Sequence, residues 1–455
     1  MASSSDASLR ESPTAAMLED TKLQLAPDEL DDESPHVRRS TWWMSSMILT
    51  GEILGTGVLG LPYACAQLGW VLGMISCIFF CCTSVYSGVL LSAVKNEMYP
   101  AATSYLHVAQ EVGGPGFALF TRVAILATWA ALLPYYLITC IKTLSGIFPN
   151  AGFCPYQWSF IVAACLVPLL QLRSLHMISY LCLASTVAMA VAVVIFLSSL
   201  ISMQIDAHDG ANHSHVETDL WPPDPNFLDV YRNTGSFIFA YQGQSMFLEI
   251  IREMRQPRHF PRSVFFANMI TMTVYTSTVV LAYASKGTQV NQFLPDMLDD
   301  SPVNNIARML LFFHVLIAYL ITGQPLHRSY HLIVSSSTAN DPGRRGAWHW
   351  FLITSAQLIA GVLVANAVPF FEAVQGLLGS MTGAPIVFGW PAFFFLRGSY
   401  LHGRKVAAGH WLVCGVYLCV FLPLFTVLGT INSMTDIVQQ ISTSGPPFSC
   451  NASSA

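Results

Sequence analysis

The chain has 455 residues, 53% of them hydrophobic and only 10% charged, with a formal net charge of −5 and a mean hydropathy of +0.51. So few charges cannot clothe a soluble domain of this length, and no nucleic-acid partner is expected. A polytopic, all-α membrane protein is what remains.

Residues 1–40 stand apart: they are rich in Ser, Pro and Ala and carry the acidic run Asp28-Glu29-Leu30-Asp31-Asp32-Glu33. Such a segment cannot bury a core and reads as a disordered acidic tail, with contact to a cytosolic partner as the alternative to a plain solvated one. It starts with no hydrophobic signal region, so the first crossing is expected to act as the targeting signal. A transporter domain over 41–432 follows, then a tail over 433–455. Within the domain, apolar runs predict about eleven membrane crossings, near 42–64, 70–94, 117–147, 157–172, 175–203, 233–251, 263–284, 306–334, 347–366, 368–396 and 407–428.

Two crossings are interrupted, the first at Gly51-Glu52-Ile53-Leu54-Gly55-Thr56-Gly57-Val58-Leu59-Gly60-Leu61-Pro62 and the sixth at Phe239-Ala240-Tyr241-Gln242-Gly243-Gln244. Lipid offers no water to an unwound backbone, so such a break persists only where it lines a protein cavity and can bind something polar. At Gly55, Thr56 and Gly57 the amides opening the next half-helix, carrying about half a positive charge, suit a carboxylate. At Ala240, Tyr241 and Gln242 the carbonyls ending a half-helix suit an ammonium group. Together they suit a zwitterion. A glycine-rich crossing can also serve close helix packing, but paired breaks opening two successive blocks of five crossings favour a five-plus-five inverted repeat with a central site and one extra C-terminal helix.

Lys and Arg divide unevenly between alternate loops: seventeen of the 21 fall in one set, which predicts a cytoplasmic N-terminus and an extracellular or lumenal C-terminus. The sequons at Asn212 and Asn451 then fall on the outer side and are candidate glycosylation sites. Cys154 and Cys450, the two cysteines outside the crossings, share that oxidising side and are a candidate disulfide.

The stretch Gly57-Val58-Leu59-Gly60-Leu61-Pro62-Tyr63-Ala64-Cys65-Ala66-Gln67-Leu68-Gly69-Trp70 resembles the first-helix signature of the amino acid/auxin permease family. Phe239 to Gln244 with Met254-Arg255-Gln256-Pro257-Arg258-His259-Phe260-Pro261, and Val368-Pro369-Phe370-Phe371 through Gly376-Leu377-Leu378-Gly379-Ser380, resemble its sixth and tenth helices. The resemblance runs from about Trp42 to Leu428. It implies a leucine-transporter-like fold that carries amino acids by alternating access, with substrate contacts at Gly55, Thr56, Gly57, Ala240, Tyr241 and Gln242. Glu372 stands where relatives often have glycine, and Gln244 where many have histidine.

Glu52 lies beside the first break, where an unpaired carboxylate is costly; it reads either as a coupling or gating group or as a residue facing a vestibule. Glu249 and Glu253 read as paired with Arg252 or Arg255, or as solvated. In the eighth crossing, 312–320 offers no Ser or Thr to a sodium ion, while His314 can titrate, so proton coupling is favoured and sodium is the second choice. The plain reading of His314 is a hydrogen bond to a neighbouring helix. Trp129, Tyr135 and Phe239 are candidate pocket walls. His208, His213 and His215, near Asp206 and Asp209, match no closed metal site and read as a solvated loop.

No cluster of His, Asp or Glu on facing helices suggests an enzyme, and no metal or cofactor is expected. The expected function is secondary active transport of neutral or broadly zwitterionic amino acids, probed against an alternative in which the same fold serves as an amino acid sensor through its N-terminal tail. A monomer in the plasma membrane or in a vacuolar or lysosomal membrane is expected, with the amino acid substrate and the lipid bilayer as its partners.

Overall fold

The computed structural model describes residues 40–173, 175–209, 216–222, 227–341 and 343–444, some of them by backbone alone. The tail 1–39, both sequons, Cys450 and the side chains of His208, His213 and His215 lie outside that description. The described chain is helical, with one isolated parallel bridge between Ser40 and Met254 and no strand. An apolar environment demands this, because a helix satisfies its amides and carbonyls within its own segment.

Helix α1 (Trp42–Ile53) is capped by Thr41, whose hydroxyl accepts from the Met44 amide at 3.4 Å, and it stops at the first break. After a 3₁₀ turn at Thr56–Leu59, α2 (Leu61–Ala93) opens with Pro62 in its first turn, where a missing amide costs nothing. The first and second crossings join inside α2 at Gly69, whose φ of +71° makes the kink. The amides freed there are not orphaned: Trp70 donates to Asp219 O at 3.0 Å and Val71 to Leu220 O at 3.2 Å.

Helix α3 (Tyr105–Ile147) starts about three turns earlier than hydropathy suggests, because Ser104 caps it and Gly114, at φ +76°, kinks it before the membrane span. Then come α4 (Pro155–Leu169), α5 (Leu175–Asp209) and α6 (Phe227–Ala240), the last ending at the second break. Beyond it lie α7 (Phe247–Glu253), α8 (Phe260–Lys286), α9 (Pro302–Ala339) and α10 (Arg344–Ala367). The tenth crossing is α11 (Phe371–Leu378) and α12 (Trp390–Leu401), joined through two π-helical turns around Pro385, which lacks an amide. Helices α13 (Ala408–Val416) and α14 (Gly429–Ser444) end the described residues, so helix continues past residue 432 into the segment expected to be a tail.

Eight helices among the described residues are long and apolar enough to cross a membrane. The first and sixth expected crossings fall short because their breaks cut them into pieces, and the fourth is the 15-residue α4.

One group of helices packs through α1 and α2 on α8 and α2 on α6; another packs α3 on α9 and α9 on α10. Glycine sets the contact between the sixth and tenth crossings: a Cβ at Gly235 would lie 2.6 Å from Gly376 O, and one at Gly379 would run into Gly235 O. Near the start of α9, buried Arg308 ties the connecting loops together. Its guanidinium donates to Gly146 O at 3.0 Å, Pro295 O at 2.9 Å, Leu298 O at 3.1 Å and the Asp300 carboxylate at 2.9 Å. At the opposite end Ser40 joins the segment before α1 to the end of α7, through Ser40 N to Glu253 O at 3.1 Å and Arg255 N to Ser40 O at 2.8 Å.

Candidate functional site

The two breaks meet. A Cβ on Gly57 would lie 2.7 Å from Ala240 Cα, and one on Gly243 would lie 3.1 Å from Ile53 Cγ1 and 3.8 Å from Glu52 Cγ. Each break therefore uses a glycine to admit the other. Gly55 behaves differently, since a Cβ there would meet nothing within 4 Å. The structure thus separates two glycines that the sequence treats alike: Gly57 permits contact, and Gly55 borders open space.

Unwound carbonyls in a buried site need donors, and side chains from three other helices supply them. Tyr275 of α8, fully buried, donates to Ile53 O at 2.8 Å and Ala240 O at 2.9 Å, bridging the ends of α1 and α6. Gln375 of α11 donates through Nε2 to Gly57 O at 3.1 Å. Tyr135 of α3 donates towards Thr56 O and towards Gln375 Oε1, each at 3.3 Å. Within the second break Gln244 folds back, accepting from Gly243 N at 2.9 Å and donating to Ser84 Oγ at 3.2 Å and Tyr241 O at 3.3 Å. The amide there that stands in for a histidine thus holds the broken backbone.

Of the expected contacts, Thr56, Gly57, Ala240 and Tyr241 are buried together at this junction. The Tyr241 ring meets the edge of Tyr275 at 5.2 Å, and its hydroxyl is buried without a partner. Gln242 turns to the tenth crossing, its Oε1 3.0 Å from where a Cβ on Gly383 would stand. Tyr135 and Phe239 do line the junction, with ring centroids 5.1 Å apart, whereas Trp129 is partly buried in the surrounding core. The aromatic cluster continues from Tyr135 to Phe371 at 5.1 Å and from Phe371 to Phe293 at 4.9 Å.

Glu52 is solvent-accessible beside Gly243, with Tyr136 and Cys182 within electrostatic reach of its carboxylate. The Tyr136 hydroxyl shares a hydrogen bond with Thr322, the first Ser or Thr of α9 beyond the window that lacked both. His314 is placed elsewhere: its Nδ1 lies 2.9 Å from Ser185 Oγ, buried between α9 and α5. Glu372 is buried in α11 and accepts from Ser236 Oγ at 3.2 Å, tying the tenth crossing to the sixth. Cys154 is disulfide-bonded, and the nine other cysteines among the described residues are free.

The sequence reading missed Tyr275 and Gln375. Gln375 left a trace, a polar residue one turn after Glu372 in an apolar crossing; Tyr275 is one tyrosine among sixteen.

A family model for transmembrane amino acid transporter proteins matches residues 38–436. The chain belongs to that family. Among curated relatives, amino acid transporter AVT1C of Arabidopsis thaliana is 23% identical over 94% of this chain and 74% of its own. The vesicular inhibitory amino acid transporter of Mus musculus is 25% identical over 88% of this chain and 76% of its own. Among solved structures, MhsT in complex with L-phenylalanine superposes with a TM-score of 0.55 at 11% identity, over 89% of this chain and all of that one. A Na⁺-coupled sialic acid symporter, substrate-bound and outward-open, follows at 0.51 and 12% identity, over 96% and 97%. The fold is therefore the leucine-transporter-like one, and family and fold are those of transporters rather than enzymes.

Proposed function

We propose that this chain is a secondary active carrier of neutral or broadly zwitterionic amino acids, working by alternating access and driven by protons in preference to sodium. The observation that carries the reading is the meeting of the two breaks at Gly57 and Ala240, with the carbonyl ends of α1 and α6 converging on one point. Carbonyl ends attract an ammonium group, and the half-helix that starts at the first break attracts a carboxylate. Gly55, Thr56, Gly57, Ala240, Tyr241 and Gln242 are the proposed substrate contacts. The family supports amino acids as the cargo, as does the inhibitory amino acid in one relative's name and the L-phenylalanine held by MhsT.

Glu52, accessible and next to both breaks, is the better placed of the two coupling candidates. His314 already has a buried partner in Ser185, which favours its plain structural reading. We further propose a cytoplasmic N-terminus, glycans at Asn212 and Asn451 outside, and Cys450 as the partner of Cys154, since nine of the eleven cysteines are free. A plasma, vacuolar or lysosomal membrane fits this orientation, and "vesicular" in a relative's name favours an internal one.

The deciding experiment is uptake of a panel of labelled amino acids into proteoliposomes, with imposed proton and sodium gradients in turn. Absence of uptake for every amino acid under either gradient refutes the reading. The sensor alternative draws on the Ser40 bridge, which ties the first described residue to the end of α7. Deleting 1–39 while keeping Ser40 separates the two: transport retained with signalling lost identifies a sensor.

A further inference from the structure

The Tyr275 hydroxyl has one proton and two acceptors, Ile53 O at 2.8 Å and Ala240 O at 2.9 Å. Those acceptors are the last carbonyls of α1 and α6, so two helix ends of partial negative charge face each other across a fully buried phenol. Ile53 O also accepts from Gly55 N at 2.9 Å. The amides after Ala240 turn elsewhere: Tyr241 N to Phe237 O, Gln242 N to Phe239 O and Gly243 N to the Gln244 side chain. Besides Gly55 N on Ile53 O, one neutral side-chain donor is thus shared between two carbonyls whose geometry calls for a cation.

We propose that the Tyr275 hydroxyl is a stand-in for the substrate's ammonium group: it occupies the Ile53 and Ala240 carbonyls in the empty site and yields them when an amino acid enters. This rests on the amino acid transport reading and adds a positioning residue to it. An ammonium group brings three donors and a full charge, so the exchange gives both carbonyls a donor of their own. Tyr275 then competes with the substrate, and removing its hydroxyl penalises the empty carrier without penalising the loaded one. A side chain that merely braced the fold would be needed equally in both.

The test is Tyr275→Phe in the full-length protein, with binding followed by isothermal titration or thermal shift on an amino acid the wild type binds, and on the matching carboxylic acid lacking the amino group. The proposal expects Kd for the amino acid to fall by about tenfold, the size of one hydrogen bond, while maximal uptake drops and the des-amino compound gains nothing. Unchanged or weaker amino acid binding overturns it. If the variant does not fold when empty, purification in saturating amino acid should rescue it and the des-amino compound should not; failure of that rescue also overturns the proposal. Sodium alone stabilising the variant more than the wild type would assign the carbonyl pair to a metal ion and overturn the ammonium assignment. A wild type that binds no amino acid refutes the transport reading itself, whereas wild-type binding without a gain in the variant refutes only the role of Tyr275.

Discussion

A methyl group on Gly57 would sit 2.7 Å from Ala240 Cα and 3.0 Å from Ala240 Cβ, closer than real side chains come to a backbone. The first crossing touches the sixth here, backbone to backbone, and neither can yield without parting the breaks. We expect Gly57→Ala to reduce uptake severely and Gly57→Leu to abolish it while the protein remains inserted. Gly55→Ala should weaken uptake less than Gly57→Ala, because the added carbon meets no protein atom within 4 Å and intrudes only on the space proposed for the substrate. Uptake normalised to the amount of membrane-inserted protein checks all three; normal uptake by Gly57→Leu would discredit the assigned site.

Gln375 and Tyr135 satisfy neighbouring carbonyls of the first break and also bond each other. Removing either leaves a buried acceptor without its donor, at about 1–3 kcal/mol. Gln375→Leu and Tyr135→Phe should each lower the melting temperature of the detergent-solubilised protein. Since they belong to one network, the double variant should lose less than the sum. Strict additivity would mean the two act independently.

Glu52 and His314 differ in surroundings, and the difference can be read from pH profiles. Glu52→Gln should flatten the pH dependence of uptake and weaken its response to an imposed proton gradient. His314→Gln should leave that profile in place and act through stability, because its ring is engaged with Ser185. Should His314→Gln alone remove the proton response, the assignment of roles would be reversed.

Arg308→Lys conserves the charge and loses the geometry. An ammonium cannot reproduce a planar fork that reaches Gly146 O, Pro295 O, Leu298 O and Asp300 at once. A loss of about 1–3 kcal/mol is expected from the buried carbonyls left without donors, visible as a lower unfolding temperature. Equal stability of the two proteins would show that the loop does not depend on this residue.

Cys154→Ser and Cys450→Ser should have equal effects on stability, and the double variant no more than either single one, if the two thiols form one bond. Peptide mapping without reduction should recover the linked pair. Unequal or additive losses would assign Cys154 another partner.

Much of this site was legible before any coordinates. Lipid forbids unsatisfied backbone, so glycine-rich interruptions in the first and sixth apolar runs already marked two breaks, and the structure buries Gly57, Thr56, Ala240 and Tyr241 where those breaks meet. Crossing boundaries were less legible where a capped helix starts outside the apolar run, as at Ser104, or continues beyond it, as at Ser444. Tyr275 and Gln375 could not be singled out, because one lies 222 and 35 residues from the two carbonyls it holds and the other 318 from its own.

By itself the sequence determined that the chain lives in a membrane and where its helices break, since these follow from local hydropathy and from the backbone freedom of glycine. Only the tertiary structure decided which glycine makes contact and which borders space, that His314 pairs with Ser185, and that one tyrosine holds the ends of two helices. Those are matters of distance between segments remote along the chain, and no local pattern encodes them.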